Sequence, residues 1–476
     1  MKAPVGTATV VSLLVATMLA GLASLVLAEL PLPEALGLGV VFATLIVATA
    51  SNELALYLLL FSMLLGPQLL VGDIGEGATL GRGLTLRLDD VLIAIVGLAW
   101  LAKSALYKEL GLVFRTPLNL PIAAYTLAAL LATGLGMMAG NVQGAGGLLF
   151  TLKYIQYFVI YFMVVNNLRD RRQFERFLIA LLATAVIVSL IGILQIPTGV
   201  RVSAPFEGKG GEPNTFGGYL VLMLALVSGL FLTSQSRRMK LLLAALAVLF
   251  VVPLLFTLSR AAYLALIPMV AALLLWGERR WFITVSLAIG LVAAPLVIPA
   301  PVLDRVLYTF NEPPHREQVL IGGVQLDLST SARIRSWTTV VFEDWPKRPL
   351  FGFGVTGYRF VDAQYPRVLA ETGAAGLLAF LWLQVSLFRQ ARQVLRQTGD
   401  PLFRGVALGL LAGFVALVTH SIGANTFIIV RIMEPFWFLA GMVIMVPQLG
   451  VTPAVPEAAG RPAVASHPGS VPWRSP

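Results

Sequence analysis

The chain has 476 residues, of which 58% are hydrophobic and 12% charged, about half the charged share of a soluble domain. Its net charge of +10 sits mostly in short clusters at the ends of apolar runs, which argues for membrane sidedness and against nucleic-acid binding. Without cysteine, disulfides, thiolate metal sites and cysteine nucleophiles are excluded.

Apolar runs of about 17–25 residues match the thickness of a hydrocarbon core. In chain order they predict spans centred near Leu14, Phe42, Phe61, Ile95, Ala128, Val159, Ala185, Met223, Leu246, Pro268, Leu287, Leu381, Leu411 and Leu439. Only Ser51-Asn52 separates the second from the third, so the fold class is an all-α polytopic membrane protein with about 12–14 transmembrane helices. The first run, Thr7 to Ala28, reads as an uncleaved span and not as a signal peptide. Lys103/Lys108/Arg115, Arg169/Arg171/Arg172/Arg176, Arg237/Arg238/Lys240, Arg279/Arg280 and Arg389/Arg392/Arg396/Arg404 fall on one set of alternate loops with Lys2, expected to be cytoplasmic. The opposite loops are then outward: Gly72–Arg87, Gly140–Gly147, Gly199–Thr215, Ser259-Arg260, Ala300–Thr372 and His420–Thr426. The expected division is 1–299 for N-terminal spans, 300–372 for a large extracytoplasmic loop with short helices, 373–449 for C-terminal spans, and 450–476 for a disordered cytoplasmic tail.

Three outward patches carry the polar chemistry. Arg201 to Tyr219 includes Lys209 and the Pro213-Asn214 entrance of a span, where Asn is a favoured cap and free N–H groups suit an anion. Its Gly-Lys-Gly-Gly lacks phosphate-loop spacing, so ATP binding is rejected. Thr257-Leu-Ser-Arg260-Ala-Ala-Tyr263 leaves an arginine at the outer membrane edge, where guanidinium would hold phosphate bidentately or anchor to lipid headgroups. The long insertion holds Arg333, Arg335 and Trp337, then the turn-forming Pro-Leu-Phe-Gly-Phe-Gly at 349–354, then Asp362, Tyr365, Arg367 and Glu371. That turn is expected to bring Arg333 and Arg335 back toward Asp362 and Tyr365; solvated charges on an amphipathic interfacial segment are the plainer alternative. No acidic cluster has metal-site spacing: Asp89-Asp90 opens a span and Glu343-Asp344 shares one polar turn.

These patches, in this order, resemble the O-antigen ligase / O-antigen polymerase superfamily of bacterial membrane glycosyltransferases. The likeness rests on Pro-Asn-Thr-x-Gly-Gly-Tyr (213–219), Ser259-Arg260-Ala, Arg333-x-x-x-Trp337, Pro-Leu-Phe-Gly-Phe-Gly and the Tyr365–Gly373 run, together covering about Arg201–Phe388. The resemblance implies an inverting, metal-independent glycosyltransferase without cofactor. It would move a glycan from undecaprenyl diphosphate to a lipid, glycan or protein acceptor on the periplasmic side of the bacterial inner membrane. It also implies that Arg260 holds the diphosphate with help from Arg333, Arg201 and Arg335. Asn214, Ser259, Trp337, Tyr365, Arg367 and Glu371 would line the substrate site. One departure matters. Where the family pattern His-Asn-x-Tyr-Leu-x-x-Leu-x-Glu-x-Gly has its His, this chain has Asp362, followed by Ala363; Tyr365, Leu369, Glu371 and Gly373 are kept.

Asp362 is therefore either a substitute general base or the mark of a lost or altered step. A buried carboxylate can take a hydroxyl proton, whereas nearby arginines would make it a weaker base. Of the three histidines, His315 lies in the insertion, His420 at an outer span end and His467 in the tail. A ligase and a polymerase are not separated by these residues. Two other classes stand beside them: a carrier or flippase for lipid-linked sugars, disfavoured by the apolar midspan positions, and a catalytically altered scaffold in envelope biogenesis.

Overall fold

A computed structural model describes residues 43–48, 51–66, 68–70, 85–106, 115–205, 211–278, 281, 283–285, 299–312, 315, 318–321 and 324–449. The expected span centres at Leu14, Phe42 and Leu287, Lys209, His467 and the tail from 450 lie outside them.

In lipid the backbone must satisfy its own hydrogen bonds, so apolar runs become helices. The long helices are α1 (Asn52–Leu65), α2 (Leu88–Leu106), α3 (Asn119–Met138), α4 (Gly144–Asn167), α5 (Arg171–Gln195), α6 (Pro213–Thr233), α7 (Arg237–Phe256) and α8 (Arg260–Trp276). The insertion contributes α9 (Ala300–Asn311) and α10 (Leu328–Thr338), and the chain closes with α11 (Gln364–Gln397), α12 (Pro401–His420) and α13 (Val430–Leu449). Among the described residues, eight helices are long and apolar enough to cross a membrane, namely α3 to α7 and α11 to α13; α1, α8 and part of α2 are shorter apolar segments. The expected centres from Phe61 to Pro268, and Leu381, Leu411 and Leu439, each fall in one of these helices. The protein is an all-α polytopic membrane protein.

The centre of the bundle is α6, apolar all round and buried on nearly every residue from Thr215 to Leu230. A helix of that pattern has no face for solvent and must be enclosed by others. It lies against α12, where Gly405, Gly409 and Gly413 recur every fourth residue. A Cβ on Gly409 would sit 2.6 Å from Leu226 Cα, and one on Gly229 2.4 Å from the Gly405 oxygen. Small residues at this spacing let backbones approach where lipid offers no hydrophobic drive for association.

The two ends of the bundle differ in charge chemistry. At one end Arg171 pairs with Asp400, Arg176 with Glu53 at 2.9 Å, and Arg404 with Glu278 at 2.8 Å. These bonds join loops that carry the positive clusters. At the other end the segments 201–214, 257–260, 309–362 and 420–427 converge through the hydrogen bonds described below.

The insertion is tied to the bundle through a break in α11. Gly373 has φ 65° and ψ −166°, a conformation that essentially only glycine adopts. The break removes two helical bonds, Ala374 N–H to Ala370 and Ala375 N–H to Glu371. Backbone from the Pro-Leu-Phe-Gly-Phe-Gly turn replaces both sides of each. Phe353 N–H donates to the Ala370 oxygen and Gly354 N–H to the Glu371 oxygen, each at 2.9 Å; the Pro349 oxygen accepts from Ala374 at 2.8 Å and the Leu350 oxygen from Ala375 at 3.0 Å. Two motifs that look independent in sequence are thus one hydrogen-bonded clasp. The turn lies between two helical segments and its backbone also plugs into the one that follows it.

A Cβ at Gly373 would meet the Leu350 carbonyl at 2.4 Å. Gly373→Ala is therefore expected to destabilise the protein by about 1–3 kcal/mol or more. Gly399, with nothing within 4 Å of a Cβ, should tolerate Ala within about 0.5 kcal/mol. Thermal unfolding of both variants in one detergent checks the contrast; equal midpoints would contradict it.

Candidate active site at the arginine end of the bundle

Four chain segments build the site. Pro213 opens α6 at a position where its missing N–H costs nothing. Asn214, expected as the cap, lies in the first turn instead; Glu212 holds the cap position. The Asn214 Oδ1 accepts from Ser259 Oγ at 2.7 Å, and that same Oγ caps α8 by accepting from Ala262 N–H at 3.3 Å. Close approach requires the following glycines: a Cβ on Gly217 would lie 2.8 Å from Ala262 Cβ, and one on Gly218 3.2 Å from His420 Cε1.

The turn between α7 and α8 grips Arg201. Leu258 has φ 50°, a left-handed conformation uncommon outside glycine. On either side of this strained residue, the Thr257 and Leu258 carbonyls accept from Arg201 Nε and Nη2 at 3.0 and 3.1 Å. Burial, and after it the repulsion of Arg305, Arg260 and Arg333, pulls the Arg201 pKa down to about 10, the Tyr263 phenol acting the other way. Arg201 stays charged at neutral pH, in a neighbourhood already rich in cations.

Arg260, the first residue of α8, donates from Nη1 to Thr309 Oγ1 and from Nη2 to Asp327 Oδ2, both at 2.7 Å. Thr309 lies on α9, and Asp327 occupies the cap position before α10. Their backbones meet too, the Thr309 oxygen accepting from Asp327 N–H at 3.0 Å. Burial opposes charge on Asp327, but bonds from Arg260 and Thr330 and the attraction of Arg260 outweigh it, leaving the carboxyl below its usual range.

Two turns along α10, Arg333 donates to Asp362 Oδ2 at 2.9 Å and to Ser329 Oγ at 3.0 Å. The expected return of the insertion on itself is therefore present for Arg333 and Asp362. The segment around Asp362 is pinned to the turn after α12. Asn425 Nδ2 donates to the Val361 oxygen at 2.8 Å, and Gln364 N–H to the Ser421 oxygen at 3.1 Å. Gln364 Oε1 accepts from Phe427 N–H at 2.9 Å. Tyr365 donates to the Val418 oxygen at 3.0 Å and its ring lies 6.1 Å from that of Trp337. Trp337 packs against the small apolar cluster of Val361 and Ala363 that flanks Asp362 in sequence, and Tyr365 packs against the bundle core.

The remaining candidate residues are placed differently. Arg367 and Glu371 are buried and face each other at 3.1 Å, with Tyr154 of α4 donating to Glu371 at 3.1 Å. They join α4 to α11 inside the bundle. Arg335 is exposed, turned by about 200° from Arg333 around α10. His420 is fully buried, its Nδ1 2.7 Å from Thr426 Oγ1, and His315 is exposed. Sequence reasoning missed Asp327, Thr309, Arg305 and Tyr154. Asp327-Leu-Ser-Thr does carry a helix-start signal, but nothing local in it names Arg260 as its partner.

The two arginine–carboxylate pairs differ in burial. Side chains of Arg260 and Asp327 are 17% and 3% exposed, those of Arg333 and Asp362 21% and 44%. Asp327→Ala is expected to cost about 3–5 kcal/mol, because it strands a mostly buried cation; Asp362→Ala should cost below about 1 kcal/mol. The Asp327 contribution is present above the unfolded carboxylate pKa of about 3.9 and is lost as pH falls through the lowered folded value. Unfolding curves of wild type and Asp327→Asn should accordingly converge on acidification below about pH 4. A gap that persists there would contradict the pairing.

Residues 245–381 match the family model described as O-antigen ligase. The match runs from α7 into α11, taking in Arg260, Arg305, Asp327, Arg333 and Asp362, while Arg201 and Asn214 precede it. No curated protein matches the chain. An O-antigen ligase domain on a multi-pass helical bundle supports a membrane glycosyl-transfer role in general. Residues 245–381 are thus similar to the O-antigen ligase family, consistent with the O-antigen ligase / polymerase superfamily that the ordered motifs resemble.

Proposed function

We propose that this protein transfers a glycan from an undecaprenyl-diphosphate carrier to a hydroxyl of a lipid, glycan or protein acceptor, at the arginine end of the bundle and on the periplasmic side of the bacterial inner membrane. One observation carries the reading: Arg260 and Arg333, from separate segments, join one hydrogen-bonded network through α10 that ends on Asp362. Diphosphate departure needs fixed positive charge where negative charge builds. Proton removal from the acceptor needs a carboxylate within reach. The network offers both.

In the proposed step the acceptor oxygen attacks the anomeric carbon from the face opposite the diphosphate. The bond from that carbon to the phosphate oxygen breaks, its electron pair stays on the diphosphate, and configuration inverts. The acceptor proton passes to Asp362, and undecaprenyl diphosphate leaves. In the resting state Arg333 donates to Asp362 at 2.9 Å and occupies the oxygen that would take the proton. Arriving diphosphate competes for Arg333, so donor binding itself would release the carboxylate. This ordering fits an aspartate in the position where the resembled pattern has histidine. Trp337 and Tyr365, whose rings lie 6.1 Å apart, would stack on the acceptor sugar, while the polyprenyl chain stays in lipid.

In proteoliposomes supplied with an undecaprenyl-diphosphate glycan and an acceptor, Asp362→Ala should lower transfer about 10²–10⁴-fold. Arg260→Ala should lower it by about 10²-fold or more, with size-exclusion profiles confirming intact protein. Full transfer by both variants would overturn the mechanism. Movement of the intact donor across sealed vesicles without a new glycosidic bond would favour a carrier instead.

A further inference from the structure

One cation of this end of the bundle has no counterpart in the scheme above. Val302, Arg305 and Thr309 lie along one face of α9, and Thr309 already takes a bond from Arg260. Arg305, one turn before it, therefore stands beside Arg260. Among the described residues no carboxylate pairs with it within 4 Å, and its Nε is buried without a partner. The charge balance points the same way. Arg201, Arg260, Arg305 and Arg333 interact electrostatically with one another. Among the described residues, only Arg260 and Arg333 of the four pair with a carboxylate, Asp327 and Asp362. Arg201 is held by two carbonyl dipoles, which orient it without neutralising it. Burial, then Arg260, holds the Arg305 pKa below its usual value, with Asp327 partly offsetting the shift. A cation kept in such company is stabilised by any anion that reaches it.

A neighbouring face of α9, about 120° around the helix, tells where that anion would come from. Leu303, Val306, Leu307 and Phe310 are all exposed and spaced i, i+3, i+4 and i+7, one continuous apolar stripe. In a helix packed near α7 of a membrane bundle, such a stripe seats in the interfacial layer of the bilayer. A guanidinium on the adjoining face would then lie near the depth of lipid phosphates.

We propose that Arg305 is a phosphate-holding residue of this site, presented to the diphosphate of the lipid-linked donor by a membrane-seated α9. Arg305 and Arg260 grip the diphosphate from adjacent helices, so that one arginine stays on it while the other follows the charge that builds at the breaking bond. This inference rests on the diphosphate reading above and adds to it a residue and a route of approach.

Inorganic pyrophosphate binding to the full-length protein in detergent, followed by calorimetry, tests it with Arg305→Gln, Arg305→Lys and Arg260→Gln. Loss of one charge-assisted contact should weaken Arg305→Gln about tenfold or more, with Arg305→Lys between it and wild type and unfolding midpoints unchanged. In transfer assays the donor KM should rise while the acceptor KM stays put. If Arg305→Gln binds as wild type does while Arg260→Gln loses binding, the Arg305 assignment falls and the diphosphate reading stands. If wild-type protein binds no pyrophosphate, both fall.

Discussion

Four guanidinium groups held together at one end of an apolar helical bundle, against two paired carboxylates, set the constraint that organises this protein. Each guanidinium withdrawn from water loses hydration that must be replaced by fixed partners. The structure does so in three ways. Arg260 takes a buried carboxylate and a hydroxyl, Arg333 takes a more exposed carboxylate and a hydroxyl, and Arg201 takes two peptide carbonyls presented by a strained turn. Among the described residues, the carboxylates paired with these arginines are fewer than the arginines themselves. Positive charge left over in a site of restricted hydration is what a diphosphate would meet, and it is worth more there than on an open surface.

The scaffold around the cluster is unusually interlocked for a loop. The insertion is held by backbone exchange with broken α11, by the Asp327–Arg260 bond and by contacts of 361–365 with the turn after α12. Each tie crosses between segments distant in sequence. Positioning of Asp362 and Arg333 therefore depends on the bundle and not on the loop's own propensity. Rigid support of this kind is what a site needs if donor binding is to redirect one arginine without letting the carboxylate wander.

Hydropathy made the helices legible, because a hydrocarbon core permits little else and the apolar runs have the required length. Of the Lys/Arg clusters, those at 169–176 and 389–404 meet at one end through the Arg171–Asp400 pair. The site was legible in part. Arg260, Arg333 and Asp362 stood out through their patches, and the turn between Arg333 and Asp362 announced itself through Pro and Gly. Asn214 misled, since its cap propensity gave way to a longer-range bond with Ser259. Arg367 and Glu371 sit at i, i+4, a spacing that permits the pair they form, yet nothing in it reveals that Tyr154 completes their enclosure. Asp327 and Arg305 went unread because contacts between distant segments have no period and leave no local trace.

The central claim, that the arginine cluster receives the diphosphate of a lipid-linked donor, is tested most directly by a cryo-EM structure of the protein in nanodiscs with undecaprenyl diphosphate. The account predicts phosphate density within hydrogen-bond distance of Arg260 and Arg305, with Arg333 drawn from Asp362 toward it. Ordered diphosphate at the opposite end of the bundle, or an arginine cluster left untouched by bound carrier, would contradict it.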